Sequence, residues 1–135
     1  MTGIAVRRNA GAIIEHNTIH DWMVSTGSTG TDVRGININL GSTNSTVVRN
    51  SITNLSGTSA GITVTGIQNN AGLGSNLFCA NNMIINVSSI GTGTQSNISR
   101  GIASTNSSNS GDKYYFNTVI MMGQDGSSAN TSYAT

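Results

Sequence analysis

The hydrophobic residues of this chain are spaced as in short strands, and one pattern returns along its length. Gly-Ile pairs stand at Gly3-Ile4, Gly35-Ile36, Gly61-Ile62 and Gly101-Ile102, each followed by a small or polar residue and then by an aliphatic, except that Ser104 closes the last. Gly66-Ile67 follows so soon after Gly61-Ile62 that it reads as the end of the same strand. Downstream of each pair comes apolar, two variable residues, Asn, one variable residue, aliphatic: Ile14 to Ile19, Val47 to Ile52, Cys79 to Ile84 and Tyr114 to Val119. The Asn residues fall at 17, 50, 82 and 117, spacings of 33, 32 and 35, whereas the Gly-Ile pairs are spaced by 32, 26 and 40. Length variation is therefore expected in the connections, chiefly Gly66 to Asn76 and Ser88 to Ser99.

Alignment on the Asn gives inward columns. Ile14, Val47, Cys79 and Tyr114 stand three before it; Ile19, Ile52, Ile84 and Val119 two after; Trp22, Leu55, Val87 and Met122 five after. Alternation in the Gly-Ile strand turns Ile4, Ile36, Ile62 and Ile102 inward and Ala5, Asn37, Thr63 and Ala103 outward, because successive side chains of a strand point to opposite faces. A short strand with one apolar face cannot bury it alone, so each repeat needs neighbours stacked at about 4.8 Å. The expected fold is all-β, a single solenoid segment over residues 1–135 with about four rungs and variable corner loops. Each inward aliphatic contributes roughly 1.5 to 3 kcal/mol relative to exposure. Asn17, Asn50, Asn82 and Asn117 are expected to form a ladder between layers, with the Asn backbone taking the left-handed corner bend.

Composition sharpens this. Of 135 residues, Gly, Ser, Thr and Asn make up 71, Pro is absent and only 8% are charged, with six Lys+Arg against five Asp+Glu. Abundant Ile, Val and Thr separate such a chain from disordered sequences. No basic field is present to hold nucleic acid and no apolar stretch long enough to span a membrane as a helix. The lone Cys79, in Leu77-Phe78-Cys79-Ala80, reads as a small buried hydrophobe. Six N-glycosylation sequons, beginning at Asn44, Asn54, Asn86, Asn97, Asn106 and Asn130, match chance in a chain this rich in Asn, Ser and Thr. The N-terminus has no secretory h-region. The chain opens near one Gly-Ile pair and closes where another is due, which predicts a fragment of a longer array that self-associates end to end or is marginally stable.

Gly-Ile-x-Val followed by Ile-x-x-Asn-x-Ile resembles the parallel β-helix repeat of the pectin lyase-like superfamily. The resemblance covers nearly the whole chain and implies a right-handed coil with a corner Asn ladder. Leucine-rich repeats are excluded because Leu-x-x-Leu-x-Leu never appears, and a β-sandwich would not repeat one motif four times.

Enzymes of that superfamily cleave acidic polysaccharides, which requires paired carboxylates or a calcium cluster with a base. The five acids, Glu15, Asp21, Asp32, Asp112 and Asp125, miss the outward Gly-Ile positions and form no Asp-x-Asp run. No catalytic residue, metal site or cofactor is assigned. His16 and His20 are separated by the Asn corner and read as solvated. Among the rings, Trp22 and Tyr114 fall in inward columns, so Tyr115 is the expected exposed aromatic. An ice-binding ladder would need Thr-x-Thr on every layer, and only Thr63-Val64-Thr65 supplies a step. Outward from the Gly-Ile strands, Arg7, Asn37, Asn39, Thr63, Thr65 and Thr105 are expected to form a polar strip, with Arg34 and Arg100 within reach. Such hydroxyl, amide and guanidinium groups suit a polysaccharide; the plainer account is that any solenoid face is polar to stay soluble. The reading is a non-catalytic segment of an extracellular or cell-surface scaffold or adhesin-like protein that contacts polysaccharide along this strip. The alternatives are part of a polysaccharide lyase or glycosidase whose catalytic acids lie outside this chain, and a phage tailspike-like module. Surface location rests on the resemblance and on low Lys with high Asn, Ser and Thr.

Overall fold

A computed structural model describes residues 1–25, 31–90, 97–106, 111–121 and 130–133. These residues contain strands and no helix: β1 (Thr2–Arg7), β2 (Ile13–Glu15), β3 (Thr18–Val24), β4 (Asp32–Asn39), β5 (Thr46–Val48), β6 (Ser51–Gly57), β7 (Thr63–Asn69), β8 (Phe78–Ala80), β9 (Met83–Ser89), β10 (Asn97–Ser104), β11 (Lys113–Tyr115), β12 (Thr118–Ile120) and β13 (Asn130–Tyr133). Each strand pairs in parallel with the one three further along the chain, through to β10 with β13. Three sheets result: sheet I in the order β1-β4-β7-β10-β13, sheet II of β2, β5, β8 and β11, and sheet III of β3, β6, β9 and β12. The chain is a parallel β-solenoid, and it makes about three full turns between Asn17 and Asn117.

The inward columns are in register as the spacing requires. Ile14, Val47, Cys79 and Tyr114 stack in sheet II, and Ile19, Ile52, Ile84 and Val119 in sheet III. Trp22, Leu55 and Val87 form a further column, while Met122 lies outside the described residues. Val47, Ile52, Leu55, Cys79, Ile84 and Val87 are wholly enclosed, so these stacks are the core.

Sheet I corrects one expectation. Ile36 pairs with Ile67, and Ile67 with Ile102, so Gly66-Ile67 is the repeat equivalent and Gly61-Ile62 precedes it. The true glycine column, Gly3, Gly35, Gly66 and Gly101, is spaced by 32, 31 and 35, almost as evenly as the Asn column. The large variation anticipated at Gly66 to Asn76 thus vanishes. Ile62 is buried all the same, but outside the Ile4, Ile36, Ile67, Ile102 column.

The reason for glycine is close approach. A Cβ on Gly35 would lie 2.6 Å from the Gly66 carbonyl oxygen and 3.0 Å from Ile52 Cγ2; one on Gly66 would lie 2.6 Å from the Gly101 oxygen. These glycines therefore face the interior, as do Val33 and Ile36 on either side. Two consecutive residues, Gly35 and Ile36, point inward, so the alternation slips by one. The next outward residue after Arg34 is Asn37.

At the corner between sheets II and III the Asn ladder is present. Asn17 Nδ2 donates to Asn50 Oδ1 (3.0 Å), Asn50 Nδ2 to Asn82 Oδ1 (3.0 Å) and Asn82 Nδ2 to Asn117 Oδ1 (2.9 Å). Each accepting oxygen also takes the preceding Asn backbone N–H, at 3.0, 3.0 and 3.1 Å. The left-handed bend, expected at the Asn, belongs instead to the residue before it: His16, Arg49, Asn81 and Phe116 have φ of 55°, 55°, 55° and 51°. A bulky residue pays for that conformation, and the ladder beside it is what holds it there.

Candidate functional site

The slip at the glycine column sets the outer face of sheet I. Thr2, Arg34, Thr65 and Arg100 form one column along the solenoid axis. Ala5, Asn37, Gln68 and Ala103 form the next, so Gln68 holds the place expected for Thr63, which pairs with Asp32 and Ile98 one column outside. Arg7 pairs with Asn39; the bonds Asn70 N to Ile38 O (2.8 Å) and Thr105 N to Asn69 O (2.9 Å) carry that column through Asn70 to Thr105. The expected strip is thus three adjacent columns, with Thr63 at their margin. Gln68 and Asn70 were missed because their register depended on which Gly-Ile pair was in phase; the 32, 31 and 35 spacing would have found them.

Exposure divides these residues. Arg7 and Thr105 are exposed, and Arg100, Asn39 and Thr63 are half-buried. Thr65 is 0% and Asn37 4% exposed, although both point away from the core. Thr65 Oγ1, Asn37 Oδ1, Asn70 Oδ1 and Arg34 Nε are enclosed and make no hydrogen bond. Each such atom costs about 1 to 3 kcal/mol relative to a partnered one, and none of them is accessible from outside. Elsewhere enclosed amides are engaged: Asn50 Nδ2 reaches Ile14 O at 3.0 Å, and Asn82 Nδ2 reaches Val47 O at 2.9 Å.

The face is also cationic. Arg7, Arg34 and Arg100 are half of the six Lys+Arg in the chain. Asp32 is the acid that meets them, through an ion pair between Arg34 Nη2 and Asp32 Oδ2. Arg100 has no ion-pair partner among the described residues.

The other acids are spent elsewhere. Glu15 Oε2 accepts from Arg49 Nη2 at 2.9 Å. Asp21 accepts from Asn54 Nδ2 at 2.8 Å and lies 2.8 Å from His20 Nδ1; the Asn54 bond, then the His20 bond, hold its carboxyl below the usual range. Asn86 Nδ2 extends that contact to Asn54 Oδ1 at 3.0 Å, a second and exposed ladder. Asp112 gathers Leu77 N (2.9 Å), Asn69 Nδ2 (2.8 Å), Asn106 Nδ2 (2.9 Å) and Ser75 Oγ, a corner hub whose members share no sequence spacing that could have announced it. Asp125 lies outside the described residues. His16 and His20 are both more than half exposed, each beside its own neighbouring acid, and no group of three potential metal ligands occurs among the described residues.

Sheet II carries a different feature. Tyr115 is exposed as expected, and it joins Phe78 and Phe116 with ring centroids 6.0 and 6.2 Å apart; Phe116 is 85% exposed. Tyr114 shares the column of Ile14, Val47 and Cys79 but, contrary to the core position expected for it, is 36% exposed; its hydroxyl lies 3.3 Å from Asn69 Nδ2, and partial burial raises its pKa. Cys79 is buried as read, and desolvation pushes its thiol up to about 12.

No family model, no curated protein and no solved structure matches this chain. The parallel solenoid and its amide ladder are established by the fold itself, and the outer face of sheet I stands as the candidate site.

Proposed function

We propose that the chain is a non-catalytic segment of an extracellular or cell-surface β-solenoid scaffold that binds polysaccharide along the outer face of sheet I. On this reading the coil is right-handed, has four rungs and is of pectin lyase-like type. One observation carries the proposal: half-buried Arg34 and Arg100 share an outward column of sheet I, with exposed Arg7 and Thr105 on the same face, and Arg100 has no ion-pair partner among the described residues. Donors and acceptors repeated at about 4.8 Å suit a polymer that offers hydroxyls at regular intervals.

The test is gel retardation against a panel of soluble polysaccharides. The chain should be retarded by at least one, the Arg34→Ala/Arg100→Ala double variant should migrate as in plain gel, and Lys113→Ala, on sheet II, should behave as wild type. Absence of retardation by every polymer, or unchanged retardation of the double variant, would overturn the proposal.

A further inference from the structure

We infer that the outer face of sheet II binds a second copy of this chain, the two coils lying antiparallel about a two-fold axis that runs along the strands of that sheet. Sheet I takes no part in the contact, so the dimer is separate from the polysaccharide reading above. Phe78, Tyr115 and Phe116 form one exposed cluster of rings on this face and its Asn corner, all in the third and fourth layers. The same columns carry charge in the first two layers: Glu15 and Arg49 form an exposed ion pair with His16 beside it, and Ile13 is exposed in the column of Phe78 and Lys113. Exposed apolar clusters mark interaction sites, and aromatic residues are enriched where proteins meet.

The lengthwise asymmetry selects the occupant. A two-fold axis along the strands, midway between β5 and β8, keeps each column and reverses the layers, so β2 faces β11 of the second copy and β5 faces β8. Glu15 then meets Tyr115 of the second copy, whose hydroxyl donates to the carboxylate, and Lys113 stands two residues along the same strand. Arg49 meets Asn81 and, one layer on, the face of Phe116, a favourable site for a guanidinium. His16 meets Phe116 ring to ring. Each contact occurs twice, because an isologous interface repeats every pair. The other face-to-face arrangement, with its axis along the solenoid, keeps the layers and sets Glu15 against Glu15, which like-charge repulsion disfavours. Val48 and Ala80 are already buried under the larger side chains, which alone make the contact. Four strands of three residues give a face of only about 10 by 15 Å, well short of the roughly 800 Å² per partner of a stable complex. The dimer is therefore weak, populated at about 1 mM and dissociated at about 10 μM.

Sedimentation equilibrium across that concentration range measures the association, and a disulfide trap reads its geometry. The H16C/F116C variant should form covalent dimers on mild oxidation. H16C alone and F116C alone should not, since each position lies three layers, about 14 Å, from its own counterpart. Cys79 is buried and does not compete. Glu15→Lys should weaken association at least about tenfold, and adding Lys113→Glu should restore it, a recovery that misfolding cannot imitate. A chain still monomeric at about 1 mM, or undiminished association of Glu15→Lys, would overturn the inference. So would a double charge reversal that fails to recover, or cross-linking of K113C/F116C, positions that meet only in the parallel arrangement, in place of H16C/F116C.

Discussion

Replacing Asn50 by alanine tests what holds the layers together. Its Nδ2 donates to Asn82 Oδ1 and to the Ile14 carbonyl, both at 3.0 Å, and its Oδ1 accepts from Asn17 N and Asn17 Nδ2, also at 3.0 Å. Asn50 is buried, so water cannot take over these four bonds freely. At a net contribution of about 1 kcal/mol each, the variant should lose about 4 kcal/mol. For a chain of this size that lowers the melting temperature by roughly 10 to 20 °C. Asn17→Ala is the comparison: it removes the donations to Asn50 Oδ1 and to Glu15 O (3.1 Å), but the backbone N–H of residue 17 still reaches Asn50 Oδ1, and the position is only half-buried. Its cost should be about 1 kcal/mol. Asn50→Asp keeps the acceptor but sets a carboxylate against Asn82 Oδ1 and the Ile14 carbonyl, so it should be worse than alanine at neutral pH and recover on acidification. Urea titration followed by circular dichroism measures all three. Should Asn50→Ala and Asn17→Ala fall within about 0.5 kcal/mol of each other, the ladder would be an ornament of the corner and the argument would fail.

Two further outcomes follow from the packing. Gly35→Ala should destabilise by about 3 kcal/mol, since its Cβ would lie 2.6 Å from the Gly66 oxygen, whereas Gly11→Ala, at φ 77° with nothing within 4 Å, should cost only about 1 to 2 kcal/mol; melting curves in the reverse order would refute the close-approach account. Cys79, its thiol raised to about 12, should resist thiol reagents in the native state and react freely in urea. The folded chain keeps a proton that the unfolded chain releases, so this contribution is whole below the ordinary thiol pKa and is lost as pH rises through the raised one; the urea midpoint should fall between about pH 8 and about pH 10 more in wild type than in Cys79→Ala.

The sequence made the Asn ladder and the Ile and Val stacks visible because both depend on a spacing that the chain repeats. Gly66 was hidden by Gly61, since two Gly-Ile pairs five residues apart look alike and only pairing with Ile36 and Ile102 decides between them. The inward pair Gly35 and Ile36 breaks strict alternation, and nothing in a hydropathy pattern signals that a glycine carbonyl of the next layer fills the space of a side chain. That slip is why Gln68, and not Thr63, stands beside Asn37. The enclosure of Thr65 and the Asp112 hub arise from residues brought together across layers with no common period, so composition and motif are silent about them.

Every amide in the corner ladder passes its bond in one sense, from residue 17 toward residue 117. The corner is thus a directional polymer whose monomer is a whole circuit of 32 to 35 residues. Duplicating a circuit adds one link and disturbs nothing; excising half of one leaves a donor facing the wrong wall. A lineage carrying this device would change length by complete circuits, and an engineer should cut and splice it the same way.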